Sequence, residues 1–363
     1  MSWTSATARR TWVVRRFVLA PAVVALTALV WALLPVGIVV SALVSPLMSG
    51  RWRALRLFWL LVVWLSIETV CLAVLLGWWV ASGFGRRIRT PYWEGVHYDL
   101  AQGMTWVLFG RAERVLNLRV VTEGPDPDAH PGHPLVVVSR HAGPGDSLVL
   151  VHALLHWYRR EPRIVLKDTI AWDPLAGVLL GRIPSRFVTP GGDAGDTLEG
   201  QVAALATGLD DDDAFVIFPE GGNFTPGRRQ RGIDRLRERG LEPMARRAEA
   251  LTNVLAPRPG GLLAALDAAP EADVVLVAHT GLDHLLTAAD LWREVPMDKQ
   301  LIMRWWRVPR EEVPLDRDAR IEWLYDWWAH IDAWVDEHRP EPLAPGAVRR
   351  RAAPAARPDA PTA

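Results

Sequence analysis

The sequence predicts an α/β layered fold with a mostly parallel central sheet, set behind a hairpin of apolar helices at the N-terminus. Three observations predict it. Two long stretches are almost free of charge: none between Phe17 and Gly50, and Glu68 alone between Leu57 and Gly85. From about residue 134 onward, short apolar runs alternate with stretches of helical pattern, the signature of strand–helix–strand units. The apolar runs are continuous rather than alternating, as expected of strands buried on both faces.

Each charge-poor stretch exceeds the ~20 residues a helix needs to cross a bilayer core. Together they predict arms at about 17–45 and 57–84 within an N-terminal region 1–89. Pro21, Pro35 and Pro46 kink or bound the first arm. Arg15-Arg16 ahead of Phe17 resembles the start of a cleaved signal, but the apolar run far exceeds the ~7–15 residues of a signal core, and a second run follows it. Seven arginines flank the hairpin (Arg9, Arg10, Arg15, Arg16, Arg86, Arg87, Arg89) and three lie between its arms (Arg51, Arg53, Arg56). That bias puts both ends, and the domain after Arg86, on the cytoplasmic side of the cell membrane. A re-entrant hairpin dipping into one leaflet would put all of them on one side, and both arrangements stay open. Glu68 within an arm is costly; it is either functional or a carboxylate neutralised or paired within the hairpin.

The segment from Arg89 to about Leu116 reads as helix. Thr122 to Pro134, rich in Pro, Gly, Asp and His, reads as a loop. Strands are expected at 134–139, 163–167, 186–188, 214–218, 273–278 and 301–308, and helices at 145–158, 173–180, 197–209 and 260–268. The last helix, about Arg317 to His338, carries Ile321, Leu324, Trp328, Ile331 and Val335 at helical spacing, with Glu322, Asp326 and Asp332 assigned to its polar side. It fits a core-facing amphipathic helix or a membrane-surface helix anchored by Trp323, Trp327 and Trp334; the acidic side argues against strong binding to anionic lipid. The domain thus spans 90–338, followed by a Pro/Ala/Arg-rich tail at 339–363 expected to be disordered.

Composition excludes several classes. Of 363 residues, 41 are basic and 41 acidic, so there is no basic field for nucleic acid. The one cysteine, Cys71, forms neither an internal disulfide nor a Cys-based zinc site. His130, His133 and His141 are grouped without metal-site spacing, and no metal is expected.

Two blocks carry chemistry. Ser139-Arg140-His141-Ala142-Gly143-Pro144-Gly145-Asp146 presents a histidine where a buried strand ends, with a carboxylate at the start of the next helix. A neutral imidazole takes a proton from a hydroxyl when its other nitrogen donates to a fixed acceptor, and Asp146 could be that acceptor. A loop histidine with an acid at a helix start is the plainer alternative. Phe218-Pro219-Glu220-Gly221-Gly222 also follows an apolar strand, at the carboxyl edge where ligands bind such sheets. Its glycines permit close approach of a ligand, and Glu220 could accept from a hydroxyl or orient a cation; a plain turn reads equally well. Lys167, and Arg186 after Gly181, could hold a phosphate, or be surface charges.

In chain order these blocks resemble the glycerophospholipid acyltransferase family, the group that includes 1-acyl-glycerol-3-phosphate acyltransferases. His141 and Asp146 match its HxxxxD block, Gly181 and Arg186 the block ending in arginine, and Phe218-Pro219-Glu220-Gly221 its FPEG block. Asn253-Val254-Leu255-Ala256-Pro257-Arg258 and Trp323-Leu324-Tyr325-Asp326-Trp327-Trp328 look like stretches of the lysocardiolipin and lysophosphatidylinositol branch. The resemblance covers about residues 134–335. It implies a layered acyltransferase domain that moves an acyl chain from acyl-CoA or acyl-carrier protein, without a cofactor, to a lysophospholipid hydroxyl at a bilayer. The acceptor it favours is 1-acyl-glycerol-3-phosphate, giving phosphatidate; another lysophospholipid is the alternative. A thioester or lipid-ester hydrolase and a non-catalytic lipid-binding protein are the readings of other classes. His141 and Asp146 would be catalytic, and Arg140, Lys167, Arg186, Glu220, Gly221 and Gly222 substrate-binding. Backbone N–H groups near Gly143–Gly145 or Gly221–Gly222 could stabilise the oxyanion. The chain departs from the family at Arg140, where Asn is usual, at Gly222-Asn223, where Thr-Arg is usual, and at Ala278-His279, in a block that usually carries a proline. Arg228, Arg229 or Arg231 could supply the cation displaced from position 223.

Overall fold

The computed structural model describes residues 13–48, 52–124, 132–143, 145–188, 198–283, 288–295 and 298–340. Arg9, Arg10, Arg51, His130 and the tail beyond Pro340 lie outside them, as do the side chains of Asp146 and Ser147.

The first apolar stretch forms two helices, α1 (Ala20–Ala32) and α2 (Leu34–Val44), with one π turn ahead of α1. The break falls at Leu33 (φ −93°, ψ 6°), two residues before Pro35. A proline removes a helix N–H and crowds the preceding turn, which accounts for the break. The second stretch is one helix, α3 (Arg53–Ala81). Thr27 Oγ1 donates to the Leu65 carbonyl (3.1 Å) and Trp31 Nε1 to Ser66 Oγ (3.0 Å), so the arms pack as a hairpin.

After α4 (Pro91–Leu116) come β1 (Leu118–Glu123), β2 (Leu135–Ser139), α5 (Asp146–His156), β3 (Glu161–Lys167), α6 (Pro174–Leu179), β4 (Ser185–Val188), α7 (Leu198–Ala206) and β5 (Asp213–Ile217). Then follow α8 (Pro226–Glu238), α9 (Glu242–Ala250), α10 (Pro259–Ala268), β6 (Asp273–Thr280), α11 (Ala288–Glu294), β7 (Lys299–Val308) and α12 (Arg317–His338). Strand β1 and helix α11 are elements that the sequence does not predict. Leu118–Val121 of β1 fall between the expected helix and the expected loop, and Thr122 and Glu123 fall within that loop.

The seven strands form one sheet in the order β1-β7-β6-β2-β5-β3-β4. Neighbours run parallel except β6 and β7. The middle strands are apolar along their central residues because both faces are covered: Val136, Val137 and Val138 have no exposed surface. On one face Val136, Val138, Phe215 and Val274 pack against α7, α10 and α12. On the other, Val137, Ala214 and Val216 pack against α4 and α5 through Phe109, Val149, Leu150 and Leu154.

Helix α12 faces the core. Leu324, Trp328, Ile331 and Val335 are buried, and Trp328 has no exposed surface. Burying such side chains contributes about 1.5–3 kcal/mol each. Asp332 corrects the sequence reading: it is 8% exposed and lies with the buried face, not the polar one. Glu68 finds its partner outside the hairpin, accepting from the Leu175 amide at 2.9 Å.

Candidate active site

Strands β2, β5 and β3 are adjacent and parallel, so their carboxyl ends share one edge. His141 follows β2, the Phe218–Gly222 turn follows β5, and Lys167 ends β3. The topology therefore brings together three of the sequence blocks, at the edge where such sheets bind ligands.

The backbone of His141 is held at both ends. Its amide donates to Glu220 Oε1 at 3.0 Å, and its carbonyl accepts from the Phe224 amide at 2.9 Å. The half-buried ring lies 4.9 Å from that of Phe218. Asp146 opens α5, and its side chain is outside the described residues.

Glu220 differs from its expected place among ligand-binding groups. It is 2% exposed, and its second oxygen accepts from the Leu255 amide at 3.0 Å. Both oxygens are thus engaged by backbone amides from two separate loops, which makes this carboxylate a brace between the histidine turn and the 252–258 loop. That loop is also fastened from behind. The Asp332 carboxylate accepts from the amides of Thr252 (3.0 Å), Asn253 (2.6 Å) and Val254 (3.1 Å). Charge-assisted bonds of this kind are about twice as strong as neutral ones. Sequence reasoning missed Asp332, although its spacing from Trp328 and Val335 puts it on the apolar stripe.

Arg140 is likewise corrected. It is 1% exposed, and its guanidinium bonds to Asp283 (2.7 Å) and to the backbone carbonyls of His279 and Asn253, inside the protein. Arg140, then Thr280 Oγ1 and the Gly281 amide, hold the Asp283 carboxyl well below the usual carboxylate range against the opposing effect of burial. The pair fastens the ends of β2 and β6 rather than presenting charge to a ligand.

Cations instead surround the glycine turn. Gly221 has φ +68°, a conformation L side chains avoid. A Cβ there would also meet Arg258 Nη1 at 3.0 Å. A Cβ on Gly222 would meet Arg228 Nη1 at 3.2 Å and Lys167 Nζ at 3.9 Å. Lys167, Arg228 and Arg258 come from three different elements and converge on this turn. Arg229 is used elsewhere, on the Leu251 and Glu249 carbonyls, and Arg231 lies beside Gly227, so Arg228 is the arginine next to the turn. The Gly221 amide donates to the Phe218 carbonyl at 3.1 Å and is not available to an oxyanion. Arg186 is not part of this cluster of contacts; it stands on β4, the outermost strand, three positions from β2, and lines a separate cleft.

The edge thus sets a histidine with a clamped backbone beside a glycine turn approached by three cations. The family model for Acyltransferase matches residues 118–278, from β1 to β6. Over these residues the chain is similar to the Acyltransferase family. The matched segment includes the edge just described. The crystal structure of the 1-acyl-sn-glycerophosphate (LPA) acyltransferase PlsC from Thermotoga maritima is similar over 76% of this chain and 100% of that one, at 12% identity and a TM-score of 0.43. No curated protein matches the chain.

Proposed function

We propose that the chain moves an acyl group from an acyl thioester to the free hydroxyl of a lysophospholipid at a membrane surface, 1-acyl-glycerol-3-phosphate being the favoured acceptor. The observation that carries this reading is the backbone clamp on His141 beside a turn lined by Lys167, Arg228 and Arg258. A phosphate monoester lying against Gly221-Gly222 would meet these cations, with bidentate contact from either arginine. Its glycerol hydroxyl would then lie toward His141.

In this mechanism the imidazole accepts the hydroxyl proton as the oxygen attacks the thioester carbonyl. The tetrahedral intermediate collapses by breaking the C–S bond, and the imidazolium returns its proton to the departing thiolate. Asp146 would orient the ring and stabilise its charged form, as the acid does in hydrolase triads. Acyl-CoA or acyl-carrier protein is the co-substrate, and no cofactor takes part. No acyl-enzyme is required.

The hairpin supports work at a bilayer held in one leaflet. Arg53 Nε donates to the Val295 carbonyl (2.8 Å), Glu68 accepts from Leu175, and Arg182 donates to the Leu75 carbonyl (2.8 Å). Arg53 and Leu75 are about 33 Å apart along the helix, comparable to the ~30 Å hydrocarbon core. A helix fastened to the domain over that length has no free stretch to cross the bilayer. Leu26, Leu29, Val36, Val40 and Leu43 of α1 and α2 are exposed and would face acyl chains.

The test is incubation of purified protein with labelled acyl-CoA and a panel of lysolipids. Label should pass to a phosphomonoester lysolipid, and His141→Ala should lower transfer by roughly 10²–10⁴-fold while membrane binding persists. Acceptor-independent hydrolysis, or full turnover by the variant, would refute the reading.

A further inference from the structure

The departure at Ala278-His279 places His279 near the carboxyl end of β6, the strand that runs parallel to β2. Its side chain is buried, at 3% exposure, and its Nε2 lies 3.1 Å from the Arg140 carbonyl oxygen. A carbonyl oxygen only accepts, so Nε2 carries the proton and donates. The contact is reciprocal, because the Arg140 guanidinium donates to the His279 carbonyl.

Arg140 and His141 share one peptide unit, and both of its polar atoms are held. The Arg140 carbonyl accepts from His279 and from the adjacent Ser139 Oγ at 3.1 Å. The His141 amide donates to Glu220 Oε1 at 3.0 Å. On either side, the Arg140 amide donates to the Val277 carbonyl (3.2 Å) and the His141 carbonyl accepts from the Phe224 amide (2.9 Å). Four consecutive backbone groups are thus paired, from the Arg140 amide to the His141 carbonyl. Two of their partners, His279 and Glu220, are side chains delivered from β6 and from the turn after β5. The peptide is planar, so a rotation that carries the amide away from Glu220 also carries the carbonyl away from His279. The Cα of His141 lies in the same plane, and the tilt of that plane sets the base from which the imidazole projects.

We propose that His279 is a positioning residue for acyl transfer. It holds the carbonyl end of the 140–141 peptide, as Glu220 holds the amide end, and together they aim the His141 imidazole. The catalytic consequence rests on the acyl-transfer reading, whereas the clamp itself does not. A misaimed base loses rate without losing its acceptor, because distance and alignment at the reacting atoms set the barrier.

The test compares two full-length variants with the parent. His279→Met keeps the bulk and loses the donor; His279→Gln places an amide nitrogen where Nε2 stood. His279→Met should lower kcat roughly tenfold, the loss expected when one hydrogen bond to a positioned group is removed. The acceptor KM should change less than about threefold. His279→Gln should recover most of the lost kcat. Deuterium exchange over residues 139–143, read by mass spectrometry, should speed roughly tenfold in His279→Met and return toward the parental rate in His279→Gln. Parental kcat in His279→Met, a tenfold loss in folded His279→Gln, or a loss confined to KM would each overturn the positioning role. Parental exchange in His279→Met would overturn the clamp. A parent that transfers no acyl group, with the exchange response intact, would refute the acyl-transfer reading and leave the clamp standing.

Discussion

Replacing Glu220 with Gln tests whether this carboxylate braces the site or touches the substrate. In the parent, each oxygen accepts one backbone amide at 3.0 Å, from His141 and from Leu255. Gln keeps the shape but offers one acceptor and one NH₂. Whichever way it turns, one buried amide faces another donor. Leaving such a donor unmade costs about 1–3 kcal/mol, and the remaining bond weakens because the acceptor is no longer charged. A total of about 2–3 kcal/mol expressed at the histidine turn corresponds to roughly 30- to 150-fold in kcat. The acceptor KM should change less than about threefold, because Lys167, Arg228 and Arg258, not Glu220, stand beside the Gly221–Gly222 turn where the phosphate is proposed to lie. Glu220→Asp keeps the charge on a shorter arm that reaches one amide only, so its kcat should fall between the two. Steady-state transfer of labelled acyl groups, with circular dichroism to confirm folding, reads all of this. A folded Glu220→Gln protein with parental kcat would refute the brace. A loss residing wholly in acceptor KM would restore the direct contact that the sequence suggested.

Further predictions concern the cations, the buried pair and pH. Lys167→Met and Arg228→Gln should each raise KM for a phosphomonoester lysolipid about tenfold, with little effect on a lysolipid lacking that group, measured in the same assay. Arg140→Met leaves the Asp283 charge buried without its partner and should cost about 3–5 kcal/mol in denaturant titration; a milder loss would show that water reaches the pair. His152, 6% exposed and stacked 4.2 Å from Phe109, has its pKa lowered to about 4 by burial and then by His156. Between pH 6.5 and 4 the unfolded chain therefore binds the proton that the folded chain refuses. Stability is complete above pH 6.5 and falls with pH by up to about 3 kcal/mol, a slope that His152→Leu should flatten.

The architecture was legible where burial acts on sequence directly. Strand β2 reads as Leu-Val-Val-Val because nothing polar is tolerated between two covered faces, and α12 announces itself through Leu324, Trp328, Ile331 and Val335 at helical spacing. Strand β1 was not legible, because Leu118–Glu123 is an edge strand with Arg119 and Glu123 in it, and edge strands need not be apolar. Among the site residues, position on the sheet was readable and orientation was not. Glu220 and Arg140 have the chemistry of ligand contacts, and only the fold shows that both are consumed internally. Their partners Leu255 and Asp283 lie 35 and 143 residues away, beyond any local pattern.

The same distinction explains two of the chain's three departures, those at 140 and at 222–223. Placing Arg at 140 introduces a charge into the core, which costs more than it returns unless a carboxylate and carbonyls receive it. Asp283 and the carbonyls of His279 and Asn253 do so. The substitution is thus compensated structurally and leaves the neighbouring imidazole clamped by other groups. At 222–223 the turn carries Gly-Asn in place of a cation, and Arg228, at the start of α8, brings its guanidinium beside Gly222 while donating to the Asn223 carbonyl at 3.0 Å. A Cβ on residue 222 would meet this guanidinium at 3.2 Å and push it aside by a few tenths of an ångström, so the missing cation and the glycine are read as one change. Gly222→Thr with Asn223→Arg should therefore transfer the phosphate contact to the turn, making Arg228→Gln tolerable. If Arg228→Gln is as damaging in that background as in the parent, Arg228 is not the replacement.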